Sequence, residues 1–177
     1  MRQDRLPGPL PSLRVRLLQP RIKRYVLDVL FWARRFYWRW RAPITLGVQA
    51  IILSQHRILL VRHDYGDRWI WRLPGGAVKR KETLIDALRR EVTEEINAEI
   101  QIERLHGVYY NFKRGASDHI IVFIASLKNP TALKPSWEIR DIGLFELDAL
   151  PKSTSPATRR RIEEYLRQAN GTEYRPW

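Results

Sequence analysis

The sequence of 177 residues contains no cysteine and only one methionine. The absence of cysteine excludes disulfide bonds, thiolate catalysis and cysteine-ligated zinc, and it favours a cytoplasmic protein. Long apolar runs are also missing. The run from Tyr25 to Ala33 contains Asp28 and is far shorter than the ~20 residues that span a bilayer. Arginines and prolines interrupt the start of the chain, so we expect no cleaved signal peptide.

Positive charge is concentrated near the N-terminus. The whole chain has a formal net charge of +13, and residues 1–43 contain eleven Lys and Arg against two Asp, a balance of +9. A basic segment of this kind attracts nucleic acid, anionic membrane surfaces and phosphorylated ligands alike. The charge therefore indicates an anionic partner without identifying it.

The hydrophobic pattern predicts an α+β fold in which helices cover a mixed sheet. Residues 1–20 contain four prolines and predict an irregular arm, and residues 21–41 predict a basic amphipathic helix that ends before Pro43. Strands are predicted at Ile44–Ser54, Arg57–Arg62, Trp69–Leu73, Glu99–Asn111, His119–Leu127 and Ile142–Glu146, and helices at Thr83–Ile96 and Pro156–Gln168. We expect three parts: an arm and helix (1–43), a main folded domain (44–170) and a short tail (171–177).

The predicted helix Thr83–Ile96 has an apolar stripe and an acidic edge. Thr83 and Asp86 have the spacing of a capping box. The stripe that should face the core consists of Ile85, Leu88, Val92 and Ile96. Glu91, Glu94 and Glu95 fall within one arc beside it, where like charges repel and the helix C-terminus disfavours anions. A bound hard cation such as Mg²⁺ or Mn²⁺ would relieve both effects.

Two glycines precede this helix. Gly75 and Gly76 allow the backbone to pass close to a ligand, and the helix N-terminus that follows favours anions. A phosphate group near the helix start and a metal on its acidic edge would together form a site for phosphoryl chemistry.

The stretch from Gly76 to Ala98 resembles the Nudix box, G-x5-E-x7-R-E-U-x-E-E-x-G-U, where U is a bulky aliphatic residue. The matching residues are Gly76, Glu82, Arg90, Glu91, Val92, Glu94 and Glu95. Asn97 replaces the second glycine of the pattern, and Ala98 replaces the final aliphatic residue. Asn tolerates the left-handed conformation of a helix C-cap, so the backbone role can survive.

The resemblance implies a Nudix-like α/β/α sandwich over roughly residues 44–168 and a metal-dependent hydrolase. It implies that Glu91 and Glu95 are the principal metal ligands, with Glu94 as a further ligand or as a holder of water. It further implies that Glu82 acts through the ion or through a salt bridge to Arg90, and that a carbonyl of Gly75 or Gly76 completes the coordination. Glu138, shortly before the last predicted strand, is a candidate for an additional metal-binding or basic glutamate. A structural salt bridge is an equally good interpretation of Glu138.

Other features have competing interpretations. The loop with Asp64, Tyr65 and Arg68 contacts substrate or is simply solvated. The aromatic residues Tyr109, Tyr110 and Phe112 stack on a base or, by preference, belong to the core. Helix 21–41 packs on the domain or on a second copy, lies in a membrane interface, or, least favoured, binds nucleic acid.

The sequence as a whole predicts hydrolysis of a diphosphate bond, in a nucleoside diphosphate linked to another moiety or in a nucleotide, with Mg²⁺ or Mn²⁺. The alternative is a membrane- or RNA-associated binding module on the same scaffold with weak or no catalysis. The predicted location is cytoplasmic, with peripheral membrane contact as its variant.

Overall fold

A mixed sheet of eight strands forms the centre of the computed structural model, which describes residues 15–16, 26–33, 36, 44–112, 117–128, 133–167 and 173–177. The strands are β1 (Val15–Arg16), β2 (Ile44–Ser54), β3 (Arg57–His63), β4 (Gly75–Ala77), β5 (Ile100–Asn111), β6 (Ser117–Leu127), β7 (Ile139–Glu146) and β8 (Glu173–Pro176). The helices are α1 (26–33), α2 (Leu84–Ile96) and α3 (Pro156–Leu166). The sheet order is β1-β7-β3-β2-β6-β5-β8, and β4 pairs with β2 outside this order.

Parallel pairing between β2 and β6 occupies the middle of the sheet and runs from Ile44 opposite Ser117 to Leu53 opposite Ser126. The β2–β3 and β5–β6 pairs are antiparallel. Gln55 has a positive φ of 56° in the tight β2–β3 turn. Mixed pairing of this kind confirms the predicted α+β class.

Alternating side chains divide the core into two layers. Val48, Ala50 and Ile52 of β2 pack with α2 on one side of the sheet, and Ile51 packs toward Ile162 of α3 on the other. The same alternation continues in β3, because strand side chains point to opposite faces in turn. Helices therefore cover both faces, which confirms the predicted α/β/α sandwich.

The predicted strand at Trp69–Leu73 is wrong. Trp71 and Arg72 form only isolated bridges, Trp71 to Thr154 and Arg72 to Val61. The strand next to them is β4, at the glycines, where Gly76 pairs with Val48. Trp71 is 2% exposed and its backbone bonds to the loop at residues 153–155. The side chain of Trp71 is therefore buried in the core, but its backbone is not part of a β-strand.

Both predicted caps of α2 are confirmed, whereas its predicted stripe is wrong at one position. The Thr83 hydroxyl accepts a hydrogen bond from the Asp86 amide at 3.1 Å. Asn97 has the left-handed angles φ 52° and ψ 43°, and its amide donates to Thr93. Ile85 is 41% exposed, and Ala87 takes its place among the buried residues. In the first turn of α2 it is Leu84, not Ile85, that packs against the core.

The N-terminal part joins the domain at two points. Residues 26–33 are helical as predicted, while most of the predicted helix 21–41 and of the arm 1–20 lies outside the described residues. Val15 and Arg16, predicted to be irregular, form β1 on the free edge of β7. Leu27 of α1 is buried. No helix in the described parts of the chain is long and apolar enough to cross a membrane.

The C-terminus is attached by a buried cluster around Arg161. Its guanidinium lies 3.8 Å from the Tyr109 ring centroid and donates to Glu164 at 2.8 Å. The Tyr109 hydroxyl donates to the same carboxylate at 3.0 Å, and the Trp177 amide donates to Tyr110 at 2.8 Å. Burial raises the pKa of Tyr109 above its usual value, so the phenol stays protonated as a donor. Tyr109 is therefore a core residue, as preferred in the sequence-based interpretation, whereas for Phe112, which is 59% exposed, that interpretation is wrong.

His106, next to this cluster, should make folding sensitive to mild acid. Burial lowers the pKa of His106 below its usual 6.5, and Glu164 at 3.9 Å opposes this only in part. The unfolded chain then binds the proton more readily than the folded chain. The free energy of unfolding should fall as pH drops below about 6.5, with a slope of up to about 1.4 kcal/mol per pH unit from this residue. Urea denaturation between neutral pH and pH 5 measures the slope.

The matched variants for this test are His106→Gln and, in the exposed β2–β3 turn, His56→Gln. The first should have a shallower slope than the wild-type protein, and the second should keep the wild-type slope. Equal slopes in all three proteins would contradict the assignment to His106.

Candidate active site

Arg90 is the centre of the site and engages every donor of its guanidinium. Its Nε and Nη2 donate to the two oxygens of Glu82 at 2.7 and 3.0 Å, and Nη2 also donates to the Ala77 carbonyl at 3.0 Å. Its Nη1 donates to Glu91 at 2.7 Å and to Glu94 at 3.2 Å. Such bidentate, charge-assisted contacts are the strong class of side-chain hydrogen bonds. Arg90 therefore ties the segment before α2 to the glutamates on the helix.

Glu82 is locked in its ionised form by this arrangement. Hydrogen bonds from Arg90 and from the Lys79 amide (2.9 Å) lower the pKa of Glu82 to about 2. The same pairing, first through Glu82, raises the pKa of Arg90 above its usual value. Glu82 is thus a permanent counter-charge to Arg90 in the structure, which is one of the two roles that the sequence suggested for it.

Glu91, Glu94 and Glu95 form the acidic edge of α2, and they differ in exposure. The side chain of Glu94 is 55% exposed, that of Glu91 is 17% exposed and that of Glu95 is 9% exposed. Burial raises the pKa of Glu91 above its usual range, although the hydrogen bond from Arg90 works in the opposite direction. The acidic edge thus extends from solvent into the body of the protein.

Positions 75 and 76 require glycine for different steric reasons. A Cβ added at Gly76 would lie 2.4 Å from the carboxylate carbon of Glu91. A Cβ added at Gly75 would lie 2.1 Å from the Val48 carbonyl oxygen, and Gly75 has a φ of +135°. Gly76 therefore makes room for the Glu91 carboxylate, while Gly75 makes room for the pairing of β4 with β2.

Glu95 is fixed by two partners. One oxygen accepts from the Gly75 amide at 2.9 Å, and the other lies 3.0 Å from Nε2 of His63. Residue alternation along β3 explains the second contact: Val61 faces α2, so His63 faces α2 as well. His63 was not among the site residues predicted from the sequence. The only signal for it was this alternation, which needs the pairing of β3 to be known.

Glu138 lies close to the site through its backbone. Its carbonyl accepts from the Asp64 amide at 2.8 Å, and the adjacent Ile139 pairs with His63, the partner of Glu95. The loop before it is also joined to α2, because the Ser136 amide donates to the Glu95 carbonyl at 2.9 Å. The candidate residue is therefore brought to the end of α2 that carries Glu95, and its role stays a prediction.

The donor atoms around the acidic edge suit a hard divalent cation. Carboxylate oxygens are the ligands that Mg²⁺ and Mn²⁺ prefer, and the glycine at residue 76 lets the Glu91 carboxylate lie directly against the backbone. In the described part of the chain, no three His, Asp or Glu side chains already stand together as a metal-binding cluster. Arg90 takes up oxygens of Glu91 and Glu94. The residues fit a cation that would share these carboxylates with Arg90.

Comparison with known proteins assigns the family. The sequence model of the NUDIX domain matches residues 43–166, so the chain belongs to the Nudix hydrolase family. An ADP-ribose pyrophosphatase of Methanocaldococcus jannaschii is 31% identical over 129 residues, which are 71% of this chain and 75% of that protein. The predicted family is confirmed.

Solved structures agree in fold. A NUDIX hydrolase from Nitrosomonas europaea matches with a TM-score of 0.68 at 23% identity, over 76% of this chain and 79% of that chain. A MutT NUDIX hydrolase from Burkholderia pseudomallei matches with a TM-score of 0.61 at 28% identity, over 68% of this chain and 96% of that chain. Nudix hydrolases generally use divalent metal ions.

Alanine at the two glycine positions should have different main effects: Gly75→Ala on stability and Gly76→Ala on the geometry of the site. Gly76→Ala should displace the Glu91 side chain, which is flexible, and should leave the free energy of unfolding nearly unchanged. Mn²⁺ affinity and hydrolysis should fall at least about tenfold, because misplacing a reacting group by 1 Å costs up to about 100-fold in rate. Gly75→Ala should lower the free energy of unfolding by at least about 1–3 kcal/mol, since its backbone conformation is strained for alanine and the added Cβ would also overlap the Val48 carbonyl. Urea denaturation and Mn²⁺ titration measure both effects, and full Mn²⁺ affinity in Gly76→Ala would contradict this role of Gly76.

Proposed function

We propose that this protein is a metal-dependent pyrophosphohydrolase that cleaves the diphosphate link of a nucleoside diphosphate joined to another moiety, or of a nucleotide. The observation that carries the proposal is the acidic edge of α2 beside the Gly75–Gly76 backbone, held by Arg90 and His63. A purely solvated acidic face would not need a buried Glu95 or a glycine fitted against Glu91.

Glu91 and Glu95 would be the principal ligands of Mg²⁺ or Mn²⁺, with Glu94 and the Gly76 carbonyl as further donors. A bound divalent ion supplies charge that offsets the diphosphate and lowers the pKa of a coordinated water. The Gly75 amide and His63 orient the Glu95 carboxylate. Arg90 and Glu82 hold Glu91 in place and fix the segment between β4 and α2.

Each part of the chain then has a definite task in hydrolysis. Preset carboxylates would hold the divalent cation that offsets the charge of the phosphates, and they would not need to reorganise at the moment of reaction, which is where most of the rate gain arises in such sites. The relative from M. jannaschii is named an ADP-ribose pyrophosphatase, which supports nucleoside diphosphate derivatives as the first substrates to test. The absence of cysteine supports a cytoplasmic location.

Replacing Glu95 should abolish turnover. Purified protein with Mg²⁺ or Mn²⁺ is incubated with ADP-ribose, nucleotide sugars, dinucleoside polyphosphates, nucleoside triphosphates and triphosphorylated RNA, and the products are separated by chromatography. Glu95→Gln should lower kcat for the cleaved compound at least about 100-fold with the fold intact, because the charge at the reacting centre is lost. Glu99→Gln makes the same chemical change at an exposed position and should keep full activity. Unaltered turnover in Glu95→Gln would overturn the assigned mechanism.

Contact with an anionic membrane is a second candidate function, because one face of α1 has no cover among the described residues. Leu27 and Phe31 point toward the domain, and Val26, Val29, Leu30 and Ala33 lie on the opposite, exposed face. Leu30 is 57% exposed. The adjoining sequence carries most of the positive charge, a combination typical of helices that lie in a membrane interface.

Vesicle sedimentation tests this contact. The full chain should bind vesicles that contain phosphatidylserine, and less so in high salt. Val29→Ser with Leu30→Ser should weaken binding at least about tenfold, because two apolar side chains no longer enter the interface. Leu166→Ser, equally exposed but on α3, should bind as the wild-type protein does. Binding to RNA alone, or dimerisation that buries α1 without vesicle binding, would overturn the membrane proposal.

A further inference from the structure

Helix α1 is joined to the loop that follows β3. Arg68 of this loop forms an ion pair with Asp28 of α1. The Phe31 ring lies over Gly66, where an added Cβ would come within 3.3 Å of the ring, and its centroid is 5.7 Å from that of Tyr65. Gly66 has a φ of +63°. The loop is therefore shaped to receive the aromatic side chain of α1.

A cavity of about 510 Å³ lies between α1 and this loop, and we call it the α1 cavity. Its volume is in the range of pockets that hold small organic ligands, about 300–1,000 Å³. Phe31 and Trp32 are its aromatic lining, Asp67 and Arg68 line it from the loop, and Arg72 also lines it. Trp32 is 60% exposed.

Arg72 points to the side of the sheet on which the acidic edge lies. Its bridge partner Val61 belongs to the core layer of α2, and paired residues on neighbouring strands project to the same face. The flanking Trp71 and Leu73 belong to the opposite layer, as alternation requires. Within the described parts of the chain, the Arg72 guanidinium has no hydrogen-bond or ion-pair partner, although the residue is partly buried. Such a cation can bind an anionic group at low cost, since no internal contact must break first.

The α1 cavity lies next to the acidic edge. Tyr65 connects them: its ring centroid is 5.7 Å from Phe31 and 4.9 Å from His63, whose Nε2 is 3.0 Å from Glu95. Arg72 precedes Gly75 by three residues, which in extended chain is about 10 Å. A ligand with a diphosphate at the acidic edge can therefore extend a neighbouring group into the cavity.

We propose that the α1 cavity binds the nucleoside part of the substrate, so that α1 is a specificity-determining element of the enzyme. The base stacks on Trp32, Arg72 contacts the phosphate or ribose that joins the base to the reacting diphosphate, and Asp67 accepts hydrogen bonds from ribose hydroxyls or an exocyclic amine. Stacking on an aromatic side chain is worth about 1–3 kcal/mol per base. This assignment rests on the proposed function and specifies the substrate class as a nucleoside diphosphate derivative.

The test measures binding separately from turnover. In the Glu95→Gln background, which should bind without cleaving, calorimetry with Mg²⁺ determines the Kd of ADP and of inorganic pyrophosphate. Trp32→Ala should raise the Kd of ADP about 5- to 150-fold, which is the stacking contribution, and leave the Kd of pyrophosphate unchanged. Trp32→Phe should restore most of the affinity. Arg72→Gln should weaken ADP binding as well, and in the active enzyme both variants should raise KM more than they lower kcat.

The matched control is Trp69→Ala. Trp69 lies in the same loop and is 62% exposed, but it stacks on Arg140 and does not line the cavity. The Trp69→Ala variant should bind ADP with the same Kd as the Glu95→Gln parent. Circular dichroism and hydrogen exchange over residues 26–33 should show that α1 stays docked in each variant. Unchanged ADP affinity in both Trp32→Ala and Arg72→Gln overturns the cavity assignment, even if the wild-type protein cleaves the substrate. ADP binding that depends on Trp32, in a protein that cleaves nothing, supports the cavity and overturns the hydrolase.

Discussion

The site depends on one guanidinium, that of Arg90, placed among carboxylates that repel one another. Four glutamates lie within a short stretch of chain, and three of them occupy neighbouring turns of one helix, where their repulsion opposes folding. Arg90 satisfies Glu82, Glu91 and Glu94 at once and also binds the Ala77 carbonyl. An ammonium group could not do this, because its three donors lack the planar fork that binds a carboxylate with two parallel hydrogen bonds. The contacts of Arg90 that offset the repulsion between the glutamates also fix the position of the segment between β4 and α2.

The rest of the fold positions α2 with the accuracy that such a site needs. Leu88, Val92 and Ile96 are completely buried against the sheet, so the helix cannot rotate without exposing them. Asn97 then reverses the chain in a left-handed conformation, and the loop at residues 134–136 returns to the carbonyls of Ile96 and Glu95. Core packing therefore fixes one side of the helix, and hydrogen bonds of the loop fix its C-terminal end, where Glu95 meets His63.

Local features were predictable from the sequence and long-range ones were not. Strand β2 and the caps of α2 follow from alternation and from Thr83 and Asn97, which act within a few residues. His63 was missed because its contact with Glu95 depends on which strands pair and on which face of the sheet α2 packs, and neither is visible in the sequence. The wrong strand at Trp69–Leu73 has the same origin: aromatic residues fit a strand or a buried loop equally well until their neighbours are known.

Helix α1 links the proposed membrane contact to the proposed nucleoside binding in the α1 cavity. Its inner side, through Asp28 and Phe31, is fixed to the loop at Tyr65 and Gly66, and its outer side is apolar and exposed. A membrane that binds the outer side of α1 only while the helix is docked on the loop stabilises the docked position. A nucleoside in the α1 cavity needs the same docked helix. By linkage, each ligand then increases the affinity for the other by the same factor. The size of that factor depends on the free energy of docking α1 on the loop, to which the Arg68–Asp28 pair, the Phe31 contact and the buried Leu27 contribute.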